Sequence, residues 1–323
     1  MTPPSDPSRQ FLPRVVADGP LDPVIVEMLA GQVELLPWSV GETGGTGPID
    51  AIYTYGHLPV DGPMMDRLPG LKVISNYGVG VDHIDLRAAA DRGIPVGNTP
   101  GVLDGATADM GFALLLASAR LIVAGDHYAK GPDFLTYDPG YMLGREVHGQ
   151  TLGIVGLGRI GRQVAKRARG FDMPVLYHNR RPRPDWEAEL GVQYRSFDDL
   201  LRQSDYVMLT CPLTAETRGL IGTRELSLMK PTATLINIAR GGVVETAALT
   251  EALKSRRIAA AGLDVTDPEP LPRGHALLSL DNAIIVPHLG SATHETRTAM
   301  ARLSVDNLLA GLRGDPLLVQ IKA

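Results

Sequence analysis

One cysteine in 323 residues, Cys211, excludes two kinds of protein at once. It admits no internal disulfide and supplies too few thiolates for a zinc cage, which fits a reducing compartment such as the cytoplasm. Positive charge is not in excess. A net charge of −5 and a pI near 5.9 leave no general basic face for phosphate contacts, which argues against a nucleic-acid binder. No uninterrupted apolar run reaches bilayer length: MGFALLLASARLIVAG, from Met110, is interrupted by Arg120 and preceded by Asp109, and reads as a buried helix. The start, MTPPSDPSRQ, lacks the apolar core of a secretory signal and reads as a disordered tail. Apart from that tail, only GETGGTGP at 41–48 has loop-like low complexity, and no repeat of solenoid period is present.

What is there is a soluble α/β pattern. Hydrophobic residues at 44% and charged residues at 21% can build ordinary cores, and the length predicts two domains of about 150 residues each. In the first hundred residues RVVADG, IDAIYTYG, LKVISNYG and IPVGNTPG read as strands, with helices in DPVIVEMLAG and DLRAAADRG that end on glycine. A second series starts at Thr151: TLGIVGLG, PVLYHN, DYVMLTCP, ATLINIAR, AAAGLDV and AIIVPH are near-continuous apolar strands, as in parallel sheets covered on both faces. IGRQVAKRARGF and ETAALTEALKSRR alternate with them as helices, and a long amphipathic helix spans roughly 291–313.

Gly156-Leu157-Gly158-Arg159-Ile160-Gly161 lies between a strand and a helix of this second series. Glycines there let a pyrophosphate reach the unpaired N–H groups of the helix N-terminus, so the motif predicts a dinucleotide site. About twenty positions after the first glycine such sites usually carry an acid for the ribose of NAD. Here that place reads His178-Asn179-Arg180-Arg181, followed by Arg183. His178 and Asn179 are neutral donors, and the arginines suit the extra phosphate of NADP, which a carboxylate would repel. Three further strand ends carry polar groups: Arg240 in ARGG, able to clamp a carboxylate; Glu269 between two prolines in GLDVTDPEPLP; and His288 in VPHLGSATHETR. Taken singly, each is as readily a surface ion pair, an acidic turn or a structural histidine. His294-Glu295 has no second histidine four positions on, so metal catalysis is not expected and no metal site is assigned.

Gly156 to Gly161, the ARGG at Arg240, GLDVTDPEP with Glu269 and PHLGSATH with His288 resemble, in order and spacing, the D-isomer-specific 2-hydroxyacid dehydrogenases, most closely the glyoxylate/hydroxypyruvate reductases among them. The resemblance implies two doubly wound parallel-sheet domains. A flavodoxin-like substrate domain is formed by 1–102 plus 289–323, and a Rossmann NAD(P)-binding domain at 103–288 is inserted into it. Long helices at 103–125 and 291–313 would cross between lobes, and dimers would form through the cofactor domain.

The same resemblance implies roles. Arg240 would bind the substrate carboxylate and carbonyl, and His288 would be the general acid in reduction. Glu269 would be its partner, since a carboxylate beside an imidazole favours the protonated ring. Backbone N–H groups of Val79 and Gly80, with Ser291, would complete substrate binding. Cofactor contacts would come from Gly158, Arg159 and Ile160 at the pyrophosphate, Arg180, Arg181 and Arg183 at the 2′-phosphate, and Pro212, Ile238, Asp264 and Gly290. The expected activity is an NADPH-preferring reduction of small 2-keto acids such as glyoxylate and hydroxypyruvate to D-2-hydroxy acids, with NAD as a possible second cofactor. Another 2-keto acid such as 2-ketogluconate is an alternative substrate. A non-catalytic, dinucleotide-sensing relative is the alternative of a different class; the complete Arg240, Glu269 and His288 set weighs against it. Phosphoglycerate, formate and phosphite dehydrogenases fit less well, the first because no C-terminal regulatory domain follows.

Overall fold

The protein is described by a computed structural model over residues 12–44 and 47–322; the tail expected at 1–10 lies outside the described residues, as does part of the 41–48 loop. Two compact units emerge, one formed by Met1–Leu103 with Thr293–Ala323 and the other by Asp104–Ala292. The motif reading sets the corresponding boundaries at 102/103 and 288/289.

The first unit runs β1 (Arg14–Ala17), α1 (Pro23–Leu29), β2 (Glu34–Pro37), α2 (Trp38–Thr43), β3 (Ala51–Thr54), α3 (Gly62–Arg67), β4 (Val73–Asn76), α4 (Leu86–Asp91) and β5 (Val96–Gly97). Its five strands are parallel in the order β2-β1-β3-β4-β5, the flavodoxin-like winding. Aspartates start the helices. Asp22, Asp61 and Asp85 accept from N–H groups of the first turns of α1, α3 and α4, satisfying donors that the helix itself leaves unpaired. Gly31 and Gly93, at φ +71° and +68°, turn the chain out of α1 and α4 as the sequence pattern predicts.

The second unit begins with α5 (Asp104–Ala119) and α6 (Ile122–Lys130), then β6 (Leu152–Val155), α7 (Arg159–Ala168), β7 (Val175–His178), α8 (Pro184–Leu190), β8 (Gln193–Tyr194), α9 (Phe197–Gln203) and β9 (Tyr206–Leu209). It continues with α10 (Thr223–Leu228), β10 (Thr234–Asn237), α11 (Thr246–Lys254), β11 (Ala260–Leu263) and β12 (Ala283–Ile285). The seven strands are ordered β12-β11-β10-β9-β6-β7-β8, a Rossmann sheet with one strand added at the edge. Strands β6, β9 and β10 are buried along their whole length, which explains their unbroken apolar sequence. The chain then returns to the first unit through α12 (His294–Arg313), whose Ser304 and Asn307 are wholly buried there.

Three local readings change. The helix expected over 103–125 is two helices bent by 59°, because Leu121 takes the left-handed conformation at φ 53° and Arg145 N–H, not a continuing helical turn, caps the Ala119 carbonyl at 2.7 Å. No single described helix is long and apolar enough to cross a membrane. Strands β2 and β8 have no counterpart in the sequence reading; both are short, partly exposed edges that carry little apolar signal. Helix α2 includes the first residues of the stretch read as the 41–48 loop.

Candidate active site

The carboxyl edge of the second sheet collects the marked residues. Gly156 follows β6, next to β9, and the crossover reverses direction between these two strands, the place where doubly wound sheets bind ligands. Each glycine of the motif meets a different constraint. Gly156 turns at φ +100°, and a Cβ there would lie 2.7 Å from the Cys211 backbone. Gly158 faces open space, so a pyrophosphate can approach the first turn of α7. At Gly161 a Cβ would stand 2.6 Å from the Gly156 carbonyl, so only glycine lets α7 sit this close to β6. These three conditions fit a dinucleotide.

Around this turn the flanking side chains are already engaged. Asn179 Oδ1 accepts from Leu157 N–H at 2.7 Å and the His178 carbonyl accepts from Gly156 N–H at 2.9 Å, so both residues brace the turn, while His178 Nδ1 lies 3.0 Å from the Arg195 carbonyl. Arg159 pairs with Asp104 at 3.1 Å, and Ile160 is half-buried. Arg180, Arg181 and Arg183 are exposed at the carboxyl end of β7. Pro212 is exposed after β9, its carbonyl receiving the Thr217 hydroxyl at 2.6 Å, whereas Ile238 is core, 5% exposed.

Beyond β10, Arg240 is held by its own strand end. Asn237 donates from Nδ2 to the Arg240 carbonyl at 3.0 Å and accepts from Ala239 N–H at 3.0 Å, while Arg240 Nη1 donates to the Ala239 carbonyl at 3.0 Å. The adjoining Gly241 has no room for a side chain against Thr266. Beyond β11, Glu269 Oε2 accepts from Thr266 N–H at 3.3 Å, and the peptides before Pro268 and Pro270 are cis. Glu269 Oε1 and His288 Nδ1 are 2.7 Å apart, with both side chains partly accessible.

His288 follows β12 in the left-handed conformation, φ 55°, a geometry that costs a non-glycine residue about 1–2 kcal/mol and must be held by its surroundings. Asp264 holds it. The Asp264 carbonyl accepts from His288 N–H at 2.9 Å, and its carboxylate oxygens accept from Leu289 N–H at 2.6 Å and Gly290 N–H at 2.9 Å. Burial pushes the Asp264 carboxyl above its usual range, against the opposing pull of the Leu289 amide and the His288 charge. Gly290 is buried against that carboxylate, and Ser291 is half-buried. Asp264, expected as a cofactor contact, also braces the histidine turn, with 2% of its surface accessible.

In the first unit Val79 and Gly80 follow β4. Asn98 Nδ2 donates to the Val79 carbonyl at 2.8 Å, and Asn76 Nδ2 donates to those of Gly78 and Gly80 at 2.9 and 2.8 Å. These bonds fix the peptide planes of the loop. Asn76, Asn98 and Asn237 went unmarked by sequence reasoning; the available signal is a polar residue closing an otherwise apolar strand.

A Rossmann sheet, a glycine turn open at Gly158 and three polar strand ends define a nicotinamide-dinucleotide-dependent oxidoreductase. Residues 112–290 match the family described as D-isomer specific 2-hydroxyacid dehydrogenase, NAD binding domain. The glyoxylate reductase of Pyrococcus furiosus is 48% identical over 271 residues, 83% of this chain and 80% of that protein. That of Korarchaeum cryptofilum is 48% identical over 267 residues, 82% of this chain and 80% of its own. Among solved structures, an NADPH-dependent glyoxylate/hydroxypyruvate reductase from Sinorhizobium meliloti, in complex with NADP and malonate, superposes with a TM-score of 0.86 at 33% identity, covering 96% of each chain. The chain belongs to the D-isomer-specific 2-hydroxyacid dehydrogenases and is an NAD(P)-dependent oxidoreductase acting between 2-keto and 2-hydroxy acids.

Proposed function

We propose that the protein reduces glyoxylate and hydroxypyruvate to the 2-hydroxy acids, D-configured where the product is chiral, with NADPH preferred to NADH. The observation that carries the catalytic reading is the 2.7 Å contact between His288 Nδ1 and Glu269, formed at neighbouring strand ends beside Arg240. The relatives named as glyoxylate reductases support the substrate class, and the solved relative with NADP supports the cofactor.

A reduced nicotinamide supplies the hydride when bound, with Gly156, Gly158, Arg159, Ile160 and Gly161 assigned to its pyrophosphate, and Arg180, Arg181 and Arg183 to the 2′-phosphate. Arg240 carries a guanidinium fork matched to a substrate carboxylate and its adjacent carbonyl. With the Nδ1 proton turned to Glu269, Nε2 of His288 is the nitrogen that gives a proton to the carbonyl oxygen as charge develops there. Glu269 thereby sets the ring's tautomer and direction. In the first unit the loop at Val79 and Gly80 is assigned to a carboxylate, by way of its backbone N–H groups.

Rates with glyoxylate, hydroxypyruvate, pyruvate and 2-ketogluconate, each with NADPH and NADH, test the proposal directly. The first two substrates with NADPH are expected to give the highest kcat/KM; activity confined to 2-ketogluconate, or a preference for NADH, overturns the corresponding part. His288→Gln is expected to lower kcat by about a hundred- to ten-thousandfold while the fold, read by circular dichroism, is retained. Unchanged turnover in that variant would remove His288 as the acid.

The cytoplasmic placement follows the reducing compartment implied by the single, buried Cys211. A homodimer through the second unit is supported by Leu135, Tyr137 and Leu143, which are 83%, 82% and 76% exposed. They lie on the segment after α6, and Leu143 also lines a cavity of about 710 Å³ at the amino ends of β10, β11 and β12, away from the residues above. Light scattering should give twice the monomer mass, and Leu135→Asp with Tyr137→Asp should halve it.

A further inference from the structure

Two arginines share one aromatic ring in the second unit. The Arg183 guanidinium carbon stands 3.5 Å from the centre of the Trp186 indole, and that of Arg162, on α7, stands 4.7 Å from the same centre. Each contact is favourable, since the indole face is electron-rich, yet the two guanidiniums repel one another. Neither forms an ion pair among the described residues, and Arg162 Nε is buried with no hydrogen-bond acceptor among them. Of the acids on α8, Glu187 is engaged elsewhere: it accepts from the Tyr177 hydroxyl at 2.8 Å, and that hydroxyl accepts from Arg183 N–H at 2.6 Å. Tyr177 thus fixes the start of α8 while holding Glu187 in a separate hydrogen bond.

The pair also lies where an anion is expected. Strand β7 pairs with β6, Val155 opposite His178, and Gly156 N–H donates to the His178 carbonyl at 2.9 Å, so the arginine loop leaves the sheet beside the glycine turn. A guanidinium that uses its face on an indole keeps its N–H edge for acceptors. A phosphate monoester offers oxygen acceptors and close to two negative charges, enough to offset the repulsion between two such cations.

We propose that Trp186 is a positioning residue for cofactor choice, holding Arg183 and Arg162 together as the guanidinium pair that receives the phosphate of a 2′-phosphorylated adenosine. This rests on the proposed NADPH preference and extends it. The arginine loop is then only part of the selectivity: Arg162, inside the cofactor helix, brings a second charge, and Trp186 aligns both.

The test uses adenosine 2′,5′-bisphosphate and 5′-AMP as probes, with affinities by calorimetry, and the NADPH-to-NADH ratio of kcat/KM. Wild type is expected to bind the bisphosphate more tightly. Trp186→Ala and Arg162→Gln are each expected to lower bisphosphate affinity and the NADPH-to-NADH ratio about tenfold, with a far smaller change for 5′-AMP. Trp186→Phe, which keeps an aromatic face, should retain most of the preference and serves if the alanine variant does not fold. Equal weakening of both probes, an unchanged ratio in Arg162→Gln or in a folded Trp186→Ala, or loss of the preference in Trp186→Phe overturns the assignment while the cofactor reading stands. A wild type that binds both probes equally overturns the cofactor reading itself, and this inference with it.

Discussion

His288 illustrates how much of the candidate chemistry depends on single backbone positions. Its left-handed φ is held by Asp264, a carboxylate with its oxygens turned inward to two amides, and its ring meets Glu269. The motif marked all three residue types, but only the geometry shows that Glu269 meets the imidazole while Asp264 holds the turn. Cys211 is a second such case. It packs against Gly156, and burial pushes its thiol from 9.0 up to about 11. A thiol whose folded pKa is raised favours the fold fully below the unfolded value and loses that contribution as pH rises through the folded one. Wild type is therefore expected to lose stability relative to Cys211→Ala between pH 9 and 11, read from urea midpoints across that window. At neutral pH the protonated, buried thiol should resist iodoacetamide until the protein is unfolded, as mass spectrometry of the native protein would show.

Elements come next, and the turn into α7 is the clearest example of a spacing rule with a steric cause. Gly161 is fixed by contact: its missing side chain lets the helix rest on the Gly156 carbonyl and Thr210, whose hydroxyl donates to that same carbonyl at 2.6 Å. Gly161→Ala should push α7 outward, costing about 1–3 kcal/mol in denaturant unfolding and weakening 5′-AMP binding together with stability. Full retention of both would mean the neighbouring groups can yield. The α5 to α6 break teaches the opposite lesson. Its sequence is apolar and helical on both sides, and nothing in LLLASARLIVAG announces that Leu121 turns left-handed; the cap from Arg145, a residue distant in sequence, decides it.

At the scale of the whole molecule, the first unit is completed only by the far end of the chain. Tyr53 and Ser304 hydroxyls lie 2.7 Å apart, the Ser75 hydroxyl donates to the Ser304 carbonyl at 2.7 Å, and Asn307 links the Asn98 carbonyl to Val319 N–H. Asn307 is fully buried, so Asn307→Leu leaves two backbone groups without partners and should cost about 2 kcal/mol or more. Thermal unfolding of the intact protein measures this, and 5′-AMP binding, assigned to the second unit, should persist below the lowered transition. Loss of nucleotide binding in the folded variant would contradict that division.

Apolar alternation and glycine placement were enough to read two wound sheets, the dinucleotide turn and the strand ends bearing Arg240, Glu269 and His288, because strand burial and close helix packing each demand particular residue types at particular spacings. Short edges such as β2 and β8 escaped because half-exposed strands carry weak patterns. Tertiary structure alone decided that Asp264 braces the histidine turn, where the long helix breaks, and that Trp186 gathers Arg162 and Arg183. Those outcomes depend on contacts between residues far apart along the chain, where no local period records who meets whom.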